Sequence, residues 1–194
     1  MGRILTSHSH SLRIDTVMPL SRWGAIGMSF CPGKRQPFAT SGCWQRDLEL
    51  DLRAVQDWGA KAVVTLIEMH EHDELGVRDL PEKTWGLGME WIPLPIPDQQ
   101  APGEGFMDRW PKAGRRIVSM MANGDKVFLH CKGGLGRTGT VAACLLVESG
   151  MAPADAVVAT RRARKGAIET EDQQRFVLEY EPRLGTREGA THAG

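Results

Sequence analysis

Val127-Phe128-Leu129-His130-Cys131-Lys132-Gly133-Gly134-Leu135-Gly136-Arg137-Thr138-Gly139 passes from a short β-rich apolar segment through a glycine-rich loop into the apolar helical stretch 139–149. That order puts the loop at the carboxyl end of a strand, where open α/β sheets hold their ligands. Gly133, Gly134 and Gly136 let the backbone curl and turn its N–H groups inward. A helix opening near Arg137 aims its positive dipole end at the same point. Lys132, Gly133, Gly134, Leu135, Gly136 and Arg137 are therefore expected to cradle a phosphate dianion, with Arg137 closing the cradle by a fork that lysine cannot copy. Such surroundings favour a thiolate at Cys131, a nucleophile placed for in-line attack on phosphorus. Thr138 brings a hydroxyl to the helix start for the sulfur, and His130 is placed to steady the loop. A buried core cysteine is the plain alternative, and the Arg137-Thr138 pair argues against it. A nucleotide P-loop would need lysine where Arg137 stands, and its spacing fails.

Outward from this loop, strands and helices alternate. Residues 25–30, 61–67 and 89–94 read as strands. Residues 47–58 read as an amphipathic helix on Leu48, Leu52, Val55 and Trp58, ended by Gly59. Helices are also expected over 106–123, 153–164 and 171–184, with a short one at 70–76. Pro111 should disturb the first turn of the 106–123 helix. The alternation implies a single α/β domain over 14–184, with a central, mostly parallel sheet flanked by helices. Residues 1–13 and 185–194 read as loose polar tails.

The loop HCKGGLGRTG resembles the His-Cys-x5-Arg-Ser/Thr signature of the cysteine-dependent protein tyrosine phosphatases. Gly166-Ala167-Ile168-Glu169-Thr170 with Gln173, and the helix Val141-Ala142-Ala143-Cys144-Leu145-Leu146, resemble the kinase-associated branch of the dual-specificity group. The resemblance covers 20–184 and implies the protein tyrosine phosphatase fold. It also implies hydrolysis of phosphotyrosine, and of phosphoserine or phosphothreonine, through a cysteinyl-phosphate intermediate with no metal or cofactor. The leaving oxygen then needs a proton from a carboxylic acid on a mobile loop. Asp98, in Pro95-Ile96-Pro97-Asp98-Gln99-Gln100-Ala101-Pro102, is placed like that family's acid, although aspartate is also a common turn former. Asp108 is the fallback; Asp73 and Asp79 fit less well. In the second step Asp98 would act as base on a water positioned by Gln173, whose neighbour Gln174 is the substitute. A phosphoinositide phosphatase, suggested by Lys132, and a phosphate-binding pseudophosphatase are the competing readings.

Composition limits the remaining choices. The chain has 194 residues, 24 Lys+Arg balanced by 24 Asp+Glu, 41% hydrophobic and 25% charged residues. Zero net charge argues against nucleic acid or a polybasic membrane contact, and the apolar fraction supports a core. The longest apolar run, 141–147, is too short for a membrane span. Four cysteines, at 31, 43, 131 and 144, form no CxxC pair or zinc spacing. With no secretory leader expected, the reading is a reduced, cytoplasmic protein acting on a phosphorylated protein partner. Gly2 and Thr6 fit the loose myristoylation pattern, but a plain polar start is preferred. His70-Glu71-His72-Asp73-Glu74 looks like a metal cluster but is read as a solvated loop, since i and i+2 do not share a helix face. His8 and His10 are assigned to the loose tail. Arg161-Arg162-Ala163-Arg164-Lys165 suits a helix C-terminus, with a docking role as the alternative. The six tryptophans are read as core packing. Cys144 is read as core, with a resolving-thiol role as the alternative.

Overall fold

In chain order, the described residues of the computed structural model are 4–20, 23–39 and 42–185. They form β1 (Ile4–Leu5), β2 (Asp15–Val17), β3 (Ile26–Phe30), β4 (Arg35–Ala39), β5 (Gly42–Gln45), α1 (Leu48–Asp57), β6 (Ala60–Thr65), α2 (Met69–Glu74), α3 (Leu80–Gly86), β7 (Glu90–Pro93), α4 (Glu104–Ala122), β8 (Lys126–Cys131), α5 (Gly136–Glu148), α6 (Pro153–Ala163) and α7 (Glu171–Leu178). The main sheet has the order β2-β3-β8-β6-β7, and β1-β5-β4 make a second, small sheet. β8 is central, parallel to β3 on one side and to β6 on the other. β7 continues the parallel run, and β2 adds an antiparallel edge. Burial on both faces explains why β6 and β8 read as continuous apolar runs rather than alternating ones. Among the described residues no helix is long and apolar enough to cross a membrane.

The carboxyl ends of β3, β8, β6 and β7 lie side by side, so the segments leaving them converge. Backbone bonds continue past the strand ends: Leu66 N–H donates to His130 O, Leu94 N–H to Thr65 O and Ile96 N–H to Leu66 O. The Pro-rich loop after β7 is thus tied to the end of β6, which is tied to the end of β8. Asp47 caps α1 by accepting from Leu50 N–H, as serine, threonine, asparagine and aspartate do at helix starts.

Four sequence expectations need correction. Residues 4–13 are not a loose tail. Ile4 and Leu5 pair with Cys43 and Trp44, Leu12 is buried in the core, and the Arg46 guanidinium donates to His10 O (2.8 Å). Polar residues are held here through their backbone carbonyls, which hydropathy does not register. Residues 1–3, with Gly2, and 186–194 of the expected tails lie outside the described residues. α7 ends at Leu178 rather than 184, because Tyr180 turns inward: its hydroxyl accepts from Trp110 Nε1 (2.6 Å) and donates to Glu148 (2.5 Å). α4 begins at Glu104 and runs on through Pro111. Of the tryptophans, Trp110 is fully buried whereas Trp85 is 55% exposed.

Candidate active site

Cys131 is the last residue of β8 and is buried. The chain then turns sharply, and Gly134 N–H donates back to Cys131 Sγ (3.2 Å). Gly134 has φ +74°, and a Cβ there would lie 2.2 Å from the Ser29 carbonyl, so only glycine lets the loop cross the β3 backbone. α5 starts at Gly136, earlier than the expected 139, and its first turn carries Arg137 inward. Lys132 is half-buried and reaches Glu74 (3.5 Å). Leu135 O accepts from Gly139 N–H and Ile168 N–H. The loop is thus a strand-to-helix turn that delivers Cys131 and Arg137 to one place.

Arg137 is held from three sides. Glu71 accepts from both its terminal nitrogens (2.6 and 2.9 Å), and Ile96 O accepts from Nη1 (3.0 Å). Asp98 Oδ1 lies 2.8 Å from Nη2. Burial works against the guanidinium charge, but the Glu71 hydrogen bonds, helped by Cys131 and Asp98, hold its pKa above the usual arginine value. Burial likewise pushes the Glu71 carboxyl up, and Arg137 with the Glu68 N–H more than reverses this, leaving it below the usual carboxylate range. Asp98 is on the exposed loop after β7, next to Gln99, whose φ is +60°. Asp108 is an exposed residue of α4 outside this cluster.

The segment 70–74 is therefore not a solvated loop. It lies in α2 (Met69–Glu74), which answers to the short helix expected at 70–76, with Glu71 and His72 buried. Glu71 was legible only by position, since the helix after β6 must end up beside the loop after β8.

The segment before α7 closes the other side. Gln173 is fully buried. Its Oε1 accepts from Glu169 N–H and Thr170 N–H (2.9 and 3.2 Å), and its Nε2 donates to Gln100 O (3.1 Å). These bonds join α7 to the Asp98 loop. Glu169, which sequence reasoning did not single out, accepts from Gly136 N–H through Oε2 (2.7 Å). A Cβ at Gly136 would strike both side chains. The basic run is also largely structural. Arg164 donates to Gly134 O (2.5 Å) and Gly133 O (3.3 Å) and pairs with Asp15 (2.6 Å). Arg161 donates to Ala167 O and Ile168 O. The Arg164 bonds fix the outward carbonyls of Gly133 and Gly134, while Gly134 N–H points at Cys131 Sγ.

Thr138 Oγ1 is buried without a hydrogen-bond partner in the structure, so the expected contact to the sulfur is not made. Cys144 lies two turns up α5, about 10 Å along its axis from the loop. Burial there, with Glu148 nearby, pushes its thiol up.

His130 is buried beneath the loop. Its Nε2 meets Thr65 Oγ1 (2.9 Å), which accepts from Trp91 Nε1 (2.9 Å). Burial, with His72 nearby, lowers the imidazole from 6.5 to about 3. The folded protein thus keeps His130 neutral while the unfolded chain takes up a proton below about 6.5, so stability present above that pH is lost on acidification. The melting temperature should fall between pH 6.5 and pH 4, and a His130→Asn variant should show a flatter dependence. Equal slopes would remove His130 from the acid response.

Comparison with known proteins adds a second line of support. A family model described as "Polymorphic toxin system, DSP-PTPase phosphatase" matches residues 42–151. Cyclin-dependent kinase inhibitor 3 of Rattus norvegicus is 29% identical over 173 residues, covering 86% of this chain and 78% of that protein. Protein tyrosine phosphatase type IVA 3 of Bos taurus is 29% identical over 145 residues, covering 72% and 75%. Among known structures, the kinase-associated phosphatase with its catalytic-site cysteine replaced by serine superposes with a TM-score of 0.75 at 22% identity, over 88% of this chain and 94% of that one. Tk-PTP in its active form gives 0.63 at 30% identity, over 84% and 93%.

Proposed function

The chain belongs to the DSP-PTPase phosphatase family and is a cysteine-dependent protein phosphatase; on that premise we propose that Cys131 is its nucleophile, Arg137 its phosphate clamp and Asp98 its general acid and base. The observation that carries this reading is the single guanidinium of Arg137, gripped by Glu71 and touched at its outer nitrogen by Asp98 (2.8 Å), above the loop that begins at Cys131. An incoming phosphate dianion takes over the outer face of Arg137 and releases Asp98. Charge repulsion then favours the protonated carboxyl that a general acid needs. Cys131 Sγ bonds to phosphorus as the ester P–O bond breaks, and the Asp98 proton goes to the leaving oxygen. In the second step a water attacks phosphorus, its proton returns to Asp98, and the S–P bond breaks.

Glu169 and Gln173 both border the cradle at Gly136 and can orient that water. Glu169 accepts from Gly136 N–H through Oε2, and the Gln173 amide, bonded at its oxygen and through one N–H, keeps a second N–H to donate. Gln173 also holds Gln100 and the acid loop. The substrate class is a phosphorylated protein, with phosphotyrosine and phosphoserine or phosphothreonine as the side chains acted on.

Asp98→Asn provides the test. Loss of a general acid should slow esters with poor leaving groups by about 10²–10⁴-fold, and activated aryl phosphates less. Rates plotted against leaving-group pKa should be steeper for the variant than for the wild type. Parallel plots would remove Asp98 from the acid role.

A further inference from the structure

Lys34 occupies the turn between β3 and β4 and is only 3% exposed. Its Nζ stands 4.9 Å from the Phe30 ring centre and 4.5 Å from that of Trp44. Arg46 lies over the same rings, but it takes both oxygens of Asp51, the carboxylate beside it (2.8 and 2.7 Å). None of the ion pairs among the described residues includes Lys34; the groups whose charge acts most on it are Cys31, Cys131, Arg46 and Arg164, and the nearby Asp51, which accepts from Gly33 N–H, is paired with Arg46 instead. A buried cation without an anion is costly, and ring faces return only part of that cost.

The backbone places this cation beside the reaction. Phe30 is the cross-strand partner of Cys131. Cys31 N–H donates to Lys132 O, and Lys34 N–H to Cys31 O, so the turn is laced to the first residues of the phosphate loop. Of the two sulfurs facing Lys34, burial drives Cys31 far above the ordinary thiol range, with Cys131, Glu71 and Asp51 acting in the same direction against Lys34. Cys31 therefore stays protonated and does not take up the Lys34 charge. Meanwhile the charge of Arg137 is committed to Glu71 and Asp98.

We propose that Lys34 is a positioning residue for the phosphatase reaction: its buried, carboxylate-free ammonium supplies from the β3 side the counter-charge that favours the Cys131 thiolate. This rests on Cys131 as nucleophile. Burial lowers Lys34 to about 8, so at neutral pH it still carries its proton.

The experiment compares Lys34→Met and Lys34→Arg with the wild type, following iodoacetamide alkylation of Cys131 against pH, with the modified residue identified by mass spectrometry. In Lys34→Met the alkylation curve should move up by about one pH unit, so that the rate at pH 6 falls about tenfold and recovers near pH 9. The acid limb of kcat/KM should move with it. Lys34→Arg should stay within about twofold of the wild type. The melting temperature of Lys34→Met should hold or rise, because an unpaired buried charge has been removed. A Lys34→Met curve that overlays the wild type overturns the proposal, whatever the melting temperature. So does a Lys34→Arg curve that follows Lys34→Met, since packing rather than charge would then be responsible. Turnover by enzyme fully alkylated at Cys131 would instead refute the nucleophile assignment.

Discussion

Cys131→Ser should reduce turnover of p-nitrophenyl phosphate by about 10⁴-fold or more, as removal of a nucleophile does in other enzymes, while inorganic phosphate still binds. The two effects separate because they use different atoms. Attack needs a thiolate, and a serine hydroxyl keeps its proton and forms no comparable nucleophile. Binding needs the inward N–H groups of the loop and the Arg137 fork, which Glu71 and Ile96 O hold in place without help from the sulfur. Gly134 N–H, which donates to Sγ in the free protein, can also serve the anion. Calorimetric titration with phosphate and steady-state kinetics on the same preparation check both halves. Retention of more than about one hundredth of wild-type turnover would place the nucleophile elsewhere.

Glu71→Ala should be the most destabilising change at the site. It leaves a buried guanidinium with only the exposed Asp98 and one carbonyl as partners, and breaking a buried ion pair typically costs about 3–5 kcal/mol. It should also lower kcat/KM, since an Arg137 free to move no longer presents a fixed fork to the dianion. Glu71→Gln keeps the shape and one acceptor and should be milder in both. Because the Glu71 carboxyl sits below its ordinary value of 4.5 in the fold, its contribution is present above that pH and lost as pH falls through the folded value. Denaturant midpoints at pH 7 with kinetics at the same pH decide the matter. An alanine variant within about 0.5 kcal/mol of wild type, with unchanged kcat/KM, would show that Glu71 does not orient Arg137.

The chemistry of the loop was legible without coordinates because it is local. Cys131, the three glycines and Arg137 lie in one short stretch between a strand and a helix, and chain geometry alone brings them together. Asp98 was legible for a related reason, since it stands in a proline-rich loop immediately after a strand. Gln173 was singled out as a water-positioning residue by the resemblance; only the fold shows its amide buried and bonded to Glu169 N–H, Thr170 N–H and Gln100 O. The local acidic pattern likewise hid Glu71, which reads as one more charge in a polar run.

By itself the sequence determined the α/β alternation and the place, at the end of β8, of the glycine-rich loop that joins Cys131 to Arg137, because those follow from periodicity, turn chemistry and contiguous residues. Only the tertiary structure decided which distant charges meet them. Glu71 after β6, Asp98 after β7, Lys34 after β3 and Glu169 before α7 are brought to Cys131 and Arg137 by parallel strands whose carboxyl ends lie side by side. That register also sets the exposure of each group, and exposure decides whether a charge is a solvated surface residue or, as for Glu71 and Lys34, a buried group acting on its neighbours through a medium too dry to screen it.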